Sequence, residues 1–528
     1  MRSPTLLPDL IALGVDRHAD APALTHAQET WNYGELHASI ERFAGGMVSL
    51  GLPRGGRVGI YLEKRPEAVI ASFGAPLAGG ACVPINPLLK AAQVEHILRD
   101  CNVHVLVTSS ERFELLEDIL ERCPDLRHVV LVGDSAPGTS RQRHALHRWT
   151  EIGAPTLVAP HLVDTDMAAI FYTSGSTGKP KGVVLSHRNL VAGAASVASY
   201  LDNRQEDALL AVLPLSFDAG FSQLTTAFYV GARAALLNHL LPRDVINALR
   251  DEKITGLTAV PPLYLQLAQL EWPENINEHL RYFASTGGRM PAETLRALRQ
   301  RVPKAKPFLM YGLTEAFRST YLPPEEIDRR PDSIGKAIPN AEVLVLRPDG
   351  GECGPDEPGE LVHRGPLVGL GYWNDEEKTA ERFRPLPPHL VNRPYGLILP
   401  EIAVFSGDTV RRDAEGFIYF IGRHDEMIKT SGYRVSPTEI EELAYATRLV
   451  GECAALGVPD ETLGQTIVLL ATPLPGQTLD IQQLLTECRA VMPAYMVPRK
   501  VIAMEGSLPR NLNGKIDRKL LRDGWMDT

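Results

Sequence analysis

Tyr172-Thr-Ser-Gly-Ser-Thr-Gly-Lys-Pro-Lys-Gly182 is the stretch that decides how this chain is read. Gly175, Gly178 and Gly182 admit positive φ and let backbone N–H groups come close to an anion. Thr173, Ser174, Ser176 and Thr177 add hydroxyl donors, while Lys179 and Lys181 add positive charge. That composition suits a polyphosphate. Residues 167–171 before it and 183–185 after it are apolar runs that read as short buried strands. The loop therefore joins strand to strand, whereas a P-loop joins strand to helix. A P-loop also spaces its glycines more widely and follows them with Lys-Ser or Lys-Thr. Here only Ser176 and Thr177 separate Gly175 from Gly178, and Pro180 follows Lys179, so the Walker pattern fails.

Outward from this loop, composition sets the frame. With 528 residues, 44% hydrophobic and 22% charged, the chain exceeds one typical core and implies two or more folding units. A net charge of −10 argues against non-specific nucleic-acid binding. Cys82, Cys101, Cys123, Cys353, Cys453 and Cys488 form no C-x-x-C pair and no metal-ligand spacing with histidine. They read as free thiols of a reducing, cytoplasmic compartment. Residues 1–8 lack the apolar core of a signal peptide. Residues 68–89 are uncharged and long enough to span a bilayer, but Pro76, Gly79, Gly80, Pro84 and Pro87 interrupt them. A buried helix, turn and strand is expected there, with no transmembrane segment.

Strand and helix patterns alternate through the first part: a helix over 40–50, strands over 58–62 and 103–107, a helix over 112–121, a strand over 128–132. Such alternation predicts α/β layers with mainly parallel pairing. The Gly-, Pro- and acid-rich residues 349–359 mark a turn into a more β-rich region. A boundary is expected at Ile421-Gly-Arg-His-Asp-Glu426, leaving a small carboxy-terminal unit. There Ser436 reads as a helix N-cap, Pro437 as the first helical residue and Glu439 as the partner completing a capping box.

Four further segments carry chemistry. Tyr311-Gly-Leu-Thr-Glu315 sets a carboxylate where a phosphate loop would need a magnesium ligand. Phe405-Ser-Gly-Asp408 offers an aspartate, a natural partner of ribose hydroxyls. Gly422-Arg-His-Asp425, with Gly432-Tyr-Arg434 after it, is a polar linker and loop, and Asn513-Gly-Lys-Ile-Asp517 isolates Lys515 near the carboxy terminus.

With the glycine-rich loop, these segments resemble in order the signatures of the adenylate-forming superfamily. That group comprises AMP-forming acyl-CoA synthetases, adenylation domains of non-ribosomal peptide synthetases and firefly-type luciferases. The resemblance covers almost the whole chain. It implies a large multi-subdomain α/β domain with mixed and parallel sheets over 1–422, a hinge over 423–426, and a small mobile α+β domain over 427–528. The roles it implies follow the motifs. Thr173, Ser174, Gly175, Ser176, Thr177, Gly178, Lys179 and Lys181 hold ATP phosphates, and Thr314 contacts the α-phosphate. Gly287 and Gly288 of Ser285-Thr-Gly-Gly288 lie near adenine and substrate, as do Tyr311 and Gly312. Glu315 ligates Mg²⁺, Asp408 binds ribose, and Arg423 contacts ribose or phosphate. Asp425 is the hinge, and Gly432, Tyr433 and Arg434 form the coenzyme A loop. Lys515, with Thr173, Thr314 and Glu315, is catalytic. Two departures stand out: Ser406 replaces the usual threonine, and residues 383–402 are longer and richer in proline than the family pattern.

The implied activity is attack of a carboxylate on the α-phosphate of ATP, with pyrophosphate release, then transfer of the acyl group to coenzyme A. An alternative acceptor is the phosphopantetheine arm of a carrier protein in trans, and a remote alternative is a non-catalytic adenylate sensor. For the acid, Asp218 stands where fatty-acyl and aryl enzymes carry histidine and amino-acid-activating domains carry aspartate. The expected pocket is Asp218, Ser222, Ser285, Gly287, Met310, Arg318 and Ser319. Either Asp218 meets a polar acid, or Asp218 and Arg318 pair with each other. The whole pattern also resembles a bacterial subgroup of acyl-CoA ligases associated with exosortase loci.

Overall fold

The computed structural model describes residues 3–133, 144–153, 160–173, 180–390, 400–423, 426–430, 433–460, 464–492, 494–511 and 515–526. Their strands make three sheets. An eight-stranded sheet runs in the order Gly371–Tyr372, Lys181–Ser186, Met167–Thr173, Ala81–Pro84, Arg57–Tyr61, Val103–Ser109, His128–Val132 and Ala145–Arg148. Its central pairs are parallel, as strand–helix alternation requires, because a parallel neighbour needs a crossover helix. The expected strands at 167–171 and 183–185 form the antiparallel edge hairpin, with Thr173 opposite Lys181. The uncharged residues 68–89 fold as expected, into the buried helix Pro66–Leu77 and strand Ala81–Pro84. No helix among the described residues is long and apolar enough to cross a membrane.

A fourteen-stranded sheet has a parallel half and an antiparallel half. Arg233–Leu236, Ala208–Ala211, Gly256–Ala259, Tyr282–Ser285 and Lys306–Tyr311 are parallel. From Thr320–Leu322 onward pairing is antiparallel, so the β-rich region begins ahead of residues 349–359, where it was expected, and those residues only join two of its strands. One core links the helices of both sheets: Tyr33, Phe73, Phe171, Phe221, Phe228 and Phe317 are all fully buried within it. Burial of such rings supplies most of the folding drive, at about 25 cal/mol per Å² removed from water. Residues 383–390 begin the unusual stretch with a short strand, Phe383–Pro385, antiparallel to Ile402–Arg412. Residues 391–399 lie outside the described residues.

After Arg423 the chain builds a sheet of its own from Ile428–Thr430, Tyr433–Val435, Cys453–Asp460, Gly464–Ala471 and Lys500–Ala503, with a separate apolar core. The helix Pro437–Ala446 starts where the Ser-Pro signal places it, but the capping box does not form. The hydroxyl of Ser436 is buried, makes no hydrogen bond and faces Gly422 rather than the helix amides. Packing against the preceding strand has overridden the local cap. All six cysteines are free and buried.

Candidate active site

Three candidates stand at the carboxyl ends of strands, where open α/β sheets bind their ligands. Thr173 ends Met167–Thr173, Ser285 ends Tyr282–Ser285, and Tyr311 ends Lys306–Tyr311. Residues 174–179, the hinge candidate Asp425 and Gly432 lie outside the described residues, as do the side chains of Tyr433 and Arg434. The remaining candidates converge.

Asp408 sits at the centre of one cluster. Its register partner on the neighbouring strand is Arg423, whose Nε lies 3.2 Å from the carboxylate. Tyr311 donates its hydroxyl to the other Asp408 oxygen at 2.5 Å. Burial and the Asp408 charge push the Tyr311 phenol well above its ordinary pKa, so it stays a donor. Asp408 N–H donates to Ser406 Oγ at 3.1 Å, so the serine standing in for threonine still supports the turn.

Lys515 comes from a carboxy-terminal loop, just before the bridge of Ile516 with Arg510. Its loop is pinned by Asn511: Lys515 N–H donates to the Asn511 side chain at 3.1 Å, and Asn511 N–H donates to the Lys515 carbonyl at 2.7 Å. Glu452 anchors the approach through Arg510 and through Leu508 N–H at 2.9 Å. Lys515 Cε lies 3.7 Å from where a β-carbon on Gly287 would stand. Gly287 has φ +81°, and Phe217 and Val260 close around the same point. The protein packed around the Lys515 ammonium and the Arg423 charge lower its pKa, while Asp408 and Asp218 oppose that shift.

Glu315 and the edge hairpin form a second cluster that sequence reading did not assemble. Tyr372 donates its hydroxyl to Glu315 Oε1 at 2.6 Å, and Lys181 pairs with Asp375 at 3.1 Å. Tyr372 pairs in register with Val183, which brings its ring within 5.7 Å of the Lys181 ammonium. Neither Tyr372 nor Asp375 stood out in sequence. The nearest available signal was the aromatic pair Tyr372-Trp373, whose backbone continues the Lys181 strand edge. Thr314 is buried beside Glu315. No group of three or more potential metal ligands occurs among the described residues. One half-buried carboxylate flanked by hydroxyls fits Mg²⁺, which binds through few protein oxygens and keeps its waters and substrate phosphates.

The acid-pocket residues divide. Asp218 opens the helix Asp218–Val230, where a carboxylate complements the helix dipole. Glycine at position 220 lets that helix start against the preceding loop: a β-carbon there would fall 1.9 Å from the Pro214 carbonyl oxygen. Arg318 Nη1 donates to Asp218 at 3.0 Å and to the Phe317 carbonyl at 2.8 Å, with both charged side chains buried. Of the two readings open in the sequence, the structure realises the mutual pair. Ser222, Met310 and Arg318 line a cavity together, and Ser285 is buried close to Gly287 with its hydroxyl unpaired. Ser319 is a correction: its hydroxyl bonds His363 Nδ1 at 2.9 Å and faces away from the cavity. Adjacent extended residues point to opposite faces, so placing Arg318 in the pocket sends Ser319 out of it.

The strands flanking the glycine-rich loop, the buried Asp408, the half-buried Glu315 and Lys515 are the groups that an enzyme joining an acid to a nucleotide would need. Comparison with known proteins agrees. The model of AMP-binding enzymes matches residues 12–373, and that of the AMP-binding enzyme C-terminal domain matches residues 439–515. A long-chain-fatty-acid–CoA ligase of Escherichia coli O157:H7 is 30% identical, covering 98% of this chain and 94% of the relative. Gramicidin S synthase 2 of Aneurinibacillus migulanus is 29% identical over 96% of this chain, though only 11% of that synthase is matched. The crystal structure of the anthranilate CoA ligase AuaEII with anthranoyl-AMP superposes with a TM-score of 0.86 at 26% identity, covering 98% of this chain and 97% of that one. The chain belongs to the AMP-binding enzyme family. Within it, it is an AMP-forming acid–thiol ligase of the acyl-CoA synthetase type, forming an acyl-adenylate from ATP and passing the acyl group to coenzyme A.

Proposed function

We propose that the crevice performs both half-reactions, with the roles divided among the residues just placed. The observation that carries this is Lys515: a lysine from a carboxy-terminal loop lies close to Gly287 and feels the Asp408 and Asp218 charges. In the first step a carboxylate oxygen bonds to the α-phosphorus of ATP, and the bond to the bridging oxygen of pyrophosphate breaks. Both reactants are anions, so the work is positioning and charge compensation. Lys515 offers its ammonium to the carboxylate and α-phosphate oxygens, and Lys181 faces the phosphates from the strand edge. Thr173 and Thr314 donate hydroxyls. Asp408 takes the ribose hydroxyls, with Tyr311 and Arg423 fixing its two oxygens. Residues 174–179 complete the phosphate cradle. When bound, Mg²⁺ neutralises the leaving pyrophosphate; Glu315, oriented by Tyr372, would hold it.

In the second step a thiol sulfur bonds to the acyl carbon, AMP leaves and the thiol proton passes to solvent. In this reading Lys515 stands in the thiol's approach during the first step, and the domain over 427–528 turns about Asp425 to clear it. Coenzyme A is the acceptor, entering past Gly432, Tyr433 and Arg434, in the cytoplasm where both nucleotides are plentiful. A carrier-protein thiol is the second reading, supported by the likeness to gramicidin S synthase 2.

ATP–pyrophosphate exchange with an acid panel tests the reading. Wild type should exchange with at least one acid and Lys515→Ala should not, while Asp425→Pro should keep exchange and lose thioester formation. Equal exchange by Lys515→Ala would refute the assignment, and loss of both activities in Asp425→Pro would refute the hinge.

A further inference from the structure

The pocket beyond the reaction centre is closed by charge. The Asp218–Arg318 pair lies adjacent to Phe217, whose ring touches the point where Lys515 meets Gly287. Past the pair, between the sheet and its covering helices, the remaining cavity is about 20 Å³, room for about one water molecule. Met310, which lines it, is held in turn by Tyr200: the Tyr200 hydroxyl lies 2.9 Å from Met310 Sδ, and its ring stacks on Tyr321 at 4.3 Å. A cavity of that size holds no hydrocarbon chain.

Backbone geometry holds this plug in place. Phe317 has φ +60° and ψ −57°, and Arg318 N–H donates to the Ala316 carbonyl at 2.6 Å. That is a positive-φ γ-turn, rare and strained for a bulky residue. Strain of this kind persists where surrounding structure enforces it, and it gathers at ligand sites. Here the Phe317 ring is fully buried, and the turn aims Arg318 at Asp218.

The plug is also not satisfied. Arg318 Nε and Ser285 Oγ are both buried without a hydrogen-bond partner. Unpaired buried donors are costly, and an alkyl or aryl wall would leave them so. A neutral pair with a spare donor complements a group that accepts from Arg318 and can donate to Asp218.

We propose that the acid is short, and that it carries a hydroxyl, amino or amide substituent which meets Arg318 and Asp218 within a few bonds of its carboxylate. This rests on the adenylation reading above. The test is exchange kinetics with two- to five-carbon acids bearing these substituents, their unsubstituted analogues, and octanoate, palmitate and benzoate. The best substituted short acid should exceed its unsubstituted analogue about 100-fold or more in kcat/KM, because a site built to bond a polar group rejects a substrate lacking it. The double variant Asp218→Leu/Arg318→Met, neutral and close in volume, should reverse that preference toward unsubstituted acids, with folding checked by circular dichroism. Octanoate, palmitate or benzoate as the preferred wild-type acid would overturn the inference and leave adenylation standing. A folded double variant with wild-type preference would overturn it equally. No exchange with any acid would remove the adenylation reading and the inference together.

Discussion

Replacing Gly287 by alanine should disable adenylation far more than it destabilises the fold. Two costs follow from the structure. At φ +81° an L-residue pays roughly 1–2 kcal/mol in left-handed backbone strain. The new methyl would also stand 3.3 Å from Val260 Cγ1 and 3.7 Å from both Lys515 Cε and Phe217 Cζ. The first contact forces a shift of a few tenths of an ångström, and the other two fill the gap in which lysine and acid must meet. Displacing a reacting group by about 1 Å costs on the order of 100-fold in rate, equivalent to about 2.7 kcal/mol. Gly288 is the internal control: its φ is not positive, and a methyl there meets Pro261 at 3.5 and 3.8 Å, ordinary contacts. The assay is ATP–pyrophosphate exchange alongside thermal unfolding. Gly287→Ala should lose about 100-fold in exchange while unfolding only a few degrees earlier, and Gly288→Ala should stay within about threefold. Equal losses in the two variants, or full activity in Gly287→Ala, would refute the placement of the reaction centre at this glycine.

Three further outcomes follow. Tyr372→Phe removes the 2.6 Å hydrogen bond to Glu315; a bond to a charged group is worth about 1.5–3 kcal/mol, and at this half-buried site the lower end, about tenfold in exchange, is expected. The Mg²⁺ concentration for half-maximal exchange should rise with it, and an unchanged Mg²⁺ titration would refute the link. The Lys515 ammonium is held below the ordinary lysine value of 10.5, chiefly by the protein around it. Its charged form is therefore lost as pH rises through that lowered value, and a pH–rate profile should show an alkaline fall below 10.5 that is absent in Lys515→Arg. Burial depresses His363 from 6.5 to about 4. Its stabilising contribution is complete above pH 6.5 and is lost as pH falls toward about 4, roughly 3 kcal/mol over that window. Thermal unfolding should show this loss between pH 6.5 and about 4, reduced in His363→Gln.

Much of the fold was legible because its signals are local. Apolar runs of strand length between Gly and Pro breaks fixed the central parallel strands, and Pro76 with Gly79 and Gly80 distinguished a buried helix and strand from a membrane span. Site residues carried by compact motifs, such as Thr314 with Glu315 or Asp408 two residues after Ser406, could be read for the same reason. Tyr372 could not: it acts on a glutamate 57 positions away and reaches it only because its backbone pairs with Val183. The Ser436 capping box failed for a related reason. A side chain with two available partners answers to packing, and Gly422 leaves room for the hydroxyl to turn away from the helix.

The substrate pocket shows why the acid itself was the hardest reading. In sequence Asp218 is a carboxylate awaiting a partner, and a cationic substrate is as good a candidate as any side chain. What decides the matter is Arg318, 100 positions later, delivered to Asp218 by a γ-turn at Phe317. Asparagine, aspartate and glycine announce positive φ; phenylalanine does not. Nothing in Glu-Ala-Phe-Arg marks the turn, because the turn is imposed by the burial of the Phe317 ring in a core built from distant helices. Specificity here is therefore a property of packing expressed at one strained residue. The position to vary first in any attempt to redirect this enzyme is accordingly Phe317 together with Gly193, whose missing side chain makes space for the ring.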